Sequence, residues 1–219
     1  MKHFFDSDLC AFNARRVSAD AAIVDEFLPV AADPEGSGLD AVTPGWNSDI
    51  QWLSATTPER FALFEDAFRR LGVPELVSDV IDVDRQVRLY CGSLVVRSRC
   101  AEPYFHCDWR KSNNQAFTFL TPVSGAHEQF GLLYYDAQGA VRHYPYRRGE
   151  GILFGDWFSH ATAPGQSDGP VALLCFEFGS DRMADWPEVY HQMKGRARLL
   201  RRADGEFVTT EAGLAPHHY

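Results

Sequence analysis

The chain has 219 residues, a formal net charge of −9 and 23% charged residues, the proportions of one soluble domain with ample core. A net acidic surface has the wrong sign for gripping a phosphate backbone, which argues against nucleic acid as a partner. No apolar run reaches the roughly 18 residues of a membrane span, residues 1–8 lack the apolar core of a secretion signal, and five cysteines without a Cys-x-x-Cys pair fit reduced thiols in a cytoplasm.

In chain order, residues 18–28 predict a helix capped by Ser18, with Ala22, Ile23 and Phe27 on its apolar side, and Pro29 as its stop. Residues 32–48 are rich in Gly and Pro and predict a long loop, from which Trp46 is a candidate to cover a substrate. Thr57-Pro58-Glu59 predicts a second helix start, a cap followed by Pro at the first helical position and an acid in the first turn. Phe61, Phe64, Phe68 and Leu71 follow at helical spacing as one apolar stripe, and Gly72 and Pro74 end it.

From Gln86 the period changes to two: Val87, Leu89 and Cys91 alternate with Arg88 and Tyr90. Strands are predicted over 115–123, 130–135, 140–147, 151–154, 157–162 and 171–178, with Gly- and Pro-containing turns between them. Short strands at near-regular spacing mean a sandwich or barrel. A helix near 187–194 and a hairpin about Asp204-Gly205 close the chain. The expected class is α+β, mainly β, as a single domain over 1–219. It comprises a helical cap and loop (1–85), a β core (86–179) and a C-terminal helix and hairpin (180–219).

The stretch Tyr104-Phe105-His106-Cys107-Asp108-Trp109-Arg110 carries the chemistry. In an extended strand His106 and Asp108 project to one face and Cys107 to the other. Both sit among large aromatic residues, where an unpaired carboxylate is costly. The next histidine in an apolar, strand-like setting is His160. Two histidines and one carboxylate on one face of a metal, with the other positions open, form the facial triad of non-haem Fe(II) oxygenases. Zn(II) accepts the same donors.

The order His106-x-Asp108, then β-rich sequence, then His160 resembles the Fe(II)/2-oxoglutarate-dependent oxygenase superfamily over roughly residues 86–179. The Gly149-Glu150-Gly151 stretch before His160 is similar to the Gly-rich lead-in to the second metal strand there and in cupins. The resemblance implies a double-stranded β-helix, jelly-roll or cupin-like, with the N-terminal helices packed on it. It also implies Fe(II) held by His106, Asp108 and His160, 2-oxoglutarate and O2 as co-substrates, and oxidation, most simply hydroxylation, of a small molecule.

One feature of that superfamily is missing. The basic residue that usually follows the distal His and binds the far carboxylate of 2-oxoglutarate is replaced here by Gly169, Pro170 and Val171. A buried carboxylate still needs a cation or several hydroxyls. By strand parity Arg110 is the first candidate and Arg142 the second, each able to bind a carboxylate bidentately. Tyr104 and Tyr135 are candidate substrate contacts. The basic run Lys194, Arg196, Arg198, Arg201 and Arg202 is expected to be a solvated face. Two other readings stay open: a cupin-type dioxygenase or isomerase that uses no 2-oxoglutarate, and a non-catalytic ligand-binding β-helix protein.

Overall fold

The computed structural model describes residues 8–33, 36–44, 47–124, 127 and 130–211. Seven strands build one antiparallel sheet: β1 (Ala14–Ser18), β2 (Leu39–Val42), β3 (Gln51–Ala55), β4 (Arg88–Cys100), β5 (Ala116–Ser124), β8 (Glu150–Phe154) and β10 (Gly165–Gly179). Their order across the sheet is β1-β8-β5-β10-β4-β3-β2. Facing it is a smaller sheet of β6 (Gly131–Tyr135), β7 (Val141–Pro145) and β9 (His160–Thr162), in the order β7-β6-β9. Two antiparallel sheets facing each other with strands exchanged between them make the double-stranded β-helix that the family resemblance implies.

The large sheet is covered on both faces, and strand parity sorts its side chains between them. Phe117, Phe119, Leu174, Phe176 and Phe178 belong to a core shared with the helices. Leu120, Leu173 and Cys175 belong to the core between the sheets. Helix α3 (Pro58–Arg70) lies on the first face, its start fixed by the Thr57 hydroxyl accepting from Arg60 N–H. Phe61, Phe64 and Phe68 are buried, and the Phe68 ring meets Phe176 and Phe178 at centroid distances of 5.5 and 5.1 Å. Phe64 comes so close to β4 that a Cβ on Gly92 would lie 2.3 Å from its own, so only glycine fits there.

The N-terminal third departs from the sequence expectation. The single helix over 18–28 is two short ones, α1 (Ala21–Asp25) and α2 (Leu28–Ala32). Asp20 caps the first by accepting from Ala22 N–H, Ser18 instead ends β1, and Pro29 opens α2 because a proline is tolerated in a first turn. The 32–48 segment contains β2, which pairs with β3 and through it extends the large sheet beyond β4. At the other end α4 (Trp186–Met193) leads to the hairpin β11 (Leu199–Arg201) and β12 (Phe207–Thr209). Gly205 takes φ +101° at its turn, as the Asp-Gly signal predicts. No helix among the described residues is long and apolar enough to cross a membrane.

Candidate metal centre

His106 and His160 are held opposite each other by the backbone. Each donates its amide N–H to the other's carbonyl at 2.9 Å, an isolated antiparallel bridge on the free edge of β9. His160 is the first residue of β9 and pairs with Tyr134 on its other side. The 104–110 stretch is therefore not the regular strand the sequence predicts. It bridges at His106 and then bends, because Trp109 is drawn into a core with Tyr90, Trp186 and Met193.

The bend is stitched to the chain just before His160, at Asp156 and Trp157. Ser112 donates from its amide and hydroxyl to Asp156 Oδ1 at 3.2 and 2.7 Å, and Asn114 N–H to Oδ2 at 3.2 Å. Trp157 N–H donates to Trp109 C=O at 2.9 Å. Asn113 and Asn114 sit in the turn that follows, both at positive φ, which asparagine tolerates.

The three side chains converge: one donor atom from each of His106, Asp108 and His160 lies within 4.8 Å of the others. His106 Nδ1 is 3.0 Å from Tyr104 C=O, and His160 Nδ1 is 3.1 Å from Phe158 C=O. A carbonyl only accepts, so each Nδ1 carries a proton and each ring turns Nε2 toward the cavity as the nitrogen available to a metal. His106 Nε2 lies 3.5 Å from Asp108 Oδ1. The other carboxylate oxygen is engaged: Trp109 Nε1–H donates to Thr118 Oγ1 at 3.0 Å, and that hydroxyl donates to Asp108 Oδ2 at 2.9 Å. This chain fixes the carboxylate with Oδ1 turned toward the imidazoles. Such outer partners orient ligands, so Thr118→Val is expected to weaken Fe(II) binding about 10- to 100-fold without unfolding the protein. Parallel metal titration and thermal melts check this, and unchanged affinity would refute the role.

Electrostatics favour the forms of Asp108 and His160 that could bind a metal. Burial pushes the Asp108 carboxyl up, but the Arg196 guanidinium and the two imidazoles outweigh it and hold the group well below the usual carboxylate range. Burial, aided by neighbouring His106, brings His160 down to about 4, so its imidazole is neutral at physiological pH.

The triad stands where two connected chambers meet, both lined by Trp52, His106, Asp108 and Arg196. The inner one, of about 830 Å³ including its opening, runs between the sheets past Thr162, Tyr146 and Arg97. The outer one, of about 510 Å³, is walled by Tyr104, Cys107 and Arg110. Cys107, expected on the opposite face, reaches this wall because of the bend.

The remaining candidates divide. Arg110 and Tyr104 line the outer chamber. Arg142 does not reach either chamber: it is exposed on the edge strand β7 and pairs at 2.7 Å with Asp136, which also caps the β6–β7 turn by accepting from Gln138 and Ala140 N–H. Tyr135 is 42% exposed and packs against Phe105 outside the chamber walls. Trp46 lies outside the described residues.

Two arginines that sequence reasoning passed over enter the site. Arg97, on β4, faces the inner chamber with Ser93 and Val95, the parity of an inward row. It is only 9% exposed, and no carboxylate among the described residues forms an ion pair with it. Arg196 comes from the basic run expected to be a solvated face. It is buried, ion-pairs with Glu177 of β10, lies 3.5 Å from Asp108 Oδ1 and donates to Asp108 C=O at 3.1 Å. The other arginines of that run pair within the chain as well: Arg198 with Asp40, Arg201 with Glu65 and Arg202 with Asp204.

No protein-family model and no curated protein matches the sequence. Solved structures do match in fold. One titled as the non-heme alpha ketoglutarate dependent epimerase SnoN from nogalamycin biosynthesis superposes with a TM-score of 0.58 at 14% identity, over 77% of this chain and 78% of that one. HygX from Streptomyces hygroscopicus, with nickel and 2-oxoglutarate bound, gives 0.56 at 15% over 80% and 86%. A 2OG-Fe(II) oxygenase family oxidoreductase from Burkholderia pseudomallei gives 0.59 at 9% over 76% and 84%. At such identities the likeness is one of architecture: the chain has the double-stranded β-helix fold on which these proteins are built.

Proposed function

We propose that this chain is an Fe(II)- and 2-oxoglutarate-dependent oxygenase that hydroxylates a small molecule. The observation that carries this reading is the presence, in one cavity, of three convergent donors and of Arg97, a buried cation with no ion-pair partner among the described residues.

The donor set fits ferrous iron. His106 Nε2, His160 Nε2 and Asp108 Oδ1 would hold it as two imidazoles and one carboxylate, with the chambers on the unligated side. When bound, iron supplies the O2 activation that couples oxidation of a 2-oxo acid to oxidation of the substrate. Thr118 and the two backbone carbonyls orient the donors, and the apolar walls Phe130, Leu132 and Leu173 keep water from the inner chamber.

Arg97 supplies what the sequence lacks after His160. In the β4–β10 register it stands opposite Val171, one strand across from where the basic residue is missing. A buried guanidinium with no ion-pair partner is unfavourable, and burial lowers the pKa of Arg97 although the Asp49 charge partly opposes this. The far carboxylate of 2-oxoglutarate relieves this with two parallel hydrogen bonds, and the Tyr146 and Thr162 side chains line the same chamber. A cupin-type enzyme without 2-oxoglutarate leaves Arg97 unmatched, which favours the oxygenase reading over that alternative. The structures titled with alpha ketoglutarate or 2-oxoglutarate lend the same support. Five unpaired cysteines suit a reducing compartment such as the cytoplasm.

The test is an anaerobic titration that follows the visible absorption of a 2-oxo acid chelated to Fe(II). Arg97→Gln is expected to leave Fe(II) affinity unchanged and to raise the 2-oxoglutarate needed by about 10- to 100-fold, the worth of a charged hydrogen-bond pair. Chelation at the wild-type concentration would remove Arg97 from the role. Iron binding with no chelation in the wild type would favour the cupin-type reading.

A further inference from the structure

The charges lining the two chambers point to the class of molecule that is oxidised. Among the described residues they are Arg97, Asp108, Glu177, Arg196 and Arg110. On the proposed function, four of these are matched. Arg196 pairs with Glu177, Arg97 with the far carboxylate of 2-oxoglutarate, and a divalent metal offsets Asp108 together with the near carboxylate. Arg110 remains. Its guanidinium approaches the Cys107 thiol, and no carboxylate among the described residues pairs with it.

Arg110 is exposed, but its main chain is fixed in place. Its backbone N–H donates to Gln192 Oε1 of α4 at 3.0 Å, and Trp109 before it is fully buried. The guanidinium therefore springs from a fixed point on the wall of the outer chamber, two residues beyond Asp108. Trp52 and Tyr104 supply aromatic surface in the same wall. A cation beside two aromatic side chains, in a protein of net charge −9, is a local exception that selects ligands by sign and by apolar surface.

We infer that the outer chamber binds a small substrate bearing a single anionic group, seated on Arg110, with an aromatic or otherwise flat apolar body against Trp52 and Tyr104. This assignment rests on the proposed function for the location of the reacting centre, and it gives Arg110 to the substrate rather than to 2-oxoglutarate.

Matched acid and amide pairs test it: benzoate and benzamide, phenylacetate and phenylacetamide, indole-3-acetate and indole-3-acetamide. Ligand-observed NMR would follow their binding to protein loaded anaerobically with Fe(II) and 2-oxoglutarate. At least one acid is expected to bind more tightly than its amide, and Arg110→Gln to weaken that acid about 10- to 100-fold while leaving the amide and 2-oxoglutarate unchanged. Acids that bind no better than amides, or not at all at millimolar concentration, would overturn the inference. So would Arg110→Gln weakening 2-oxoglutarate instead. Failure of the proposed function looks different: Fe(II) or 2-oxoglutarate would not bind, while metal-free protein would still hold the acid through Arg110.

Discussion

Asp108→Ala is expected to abolish tight Fe(II) binding and leave the fold intact. Asp108 is the one anionic donor of the three, and its Oδ1 is aimed by a hydrogen-bond chain that begins at the buried Trp109 indole. Removing it takes away a ligand, not merely its orientation. The loss of affinity should therefore exceed the ~100-fold upper range for an outer partner such as Thr118. The fold should survive because Arg196 keeps Glu177 as its counter-charge, and because Trp109, not Asp108, anchors the bend in the core. Titration with Fe(II) beside a circular dichroism melt separates the two effects. Iron bound as tightly by the variant as by the parent would show that the triad is not the metal site.

Arg196→Ala should be the most destabilising of these changes, by about 3–5 kcal/mol, because it strands charges in the interior. Glu177 and Asp108 are both shielded from water, and the guanidinium that neutralises them also lies 5.8 Å from the centroid of the Trp109 ring. For a chain of this size the loss corresponds to a fall in Tm of roughly 10 °C. Its pH dependence has a definite sign. Burial already raises the Glu177 carboxyl, and without Arg196 it rises further above its unfolded value. The deficit should then be largest at neutral pH, where the carboxylate must be charged, and should shrink as acid protonates it in the folded state. Pairing the change as Glu177→Gln with Arg196→Met should recover part of the loss, since a buried ion pair is replaced as a unit. Urea denaturation at pH 7 and pH 5 measures both points. A single variant melting within a degree or two of the parent would mean that the pair contributes nothing to stability.

What could be read from the residues alone followed chemistry that is local or periodic. The α3 stripe of Phe61, Phe64 and Phe68 and the Asp204-Gly205 turn announce themselves through helical spacing and backbone preference. His106, Asp108 and His160 stood out because polar donors are rare among large aromatic residues. Strands β2 and β3 were not legible: Leu39–Val42 and Gln51–Ala55 are short, and they become strands because β3 adds to β4 and β2 adds to β3. Arg97 left a faint signal, since it shares parity with Ser93 and Val95, but nothing in sequence shows which face of β4 looks inward. Arg196 left none. Its burial depends on Glu177 of β10, and a basic residue in a basic run reads as solvent-facing until its partner is known. The hydrogen bond from Thr118 to Asp108 was equally invisible, because a threonine in a strand is ordinary.

On the proposed function, the reciprocal amide bonds between His106 and His160 separate the spacing of two metal donors from their identity. Main-chain pairing sets how far apart the two imidazoles stand, whatever side chains occupy those positions. Donor identity can thus vary by substitution without resetting the spacing, and softer or harder donors exchanged at either position would retune metal preference. Spacing, in turn, is hostage to registry. A slip of a single residue along this edge would turn the side chain of position 160 away from the cavity and empty the centre at once. Evolution, or a designer, is free to change the chemistry of this centre but not its alignment.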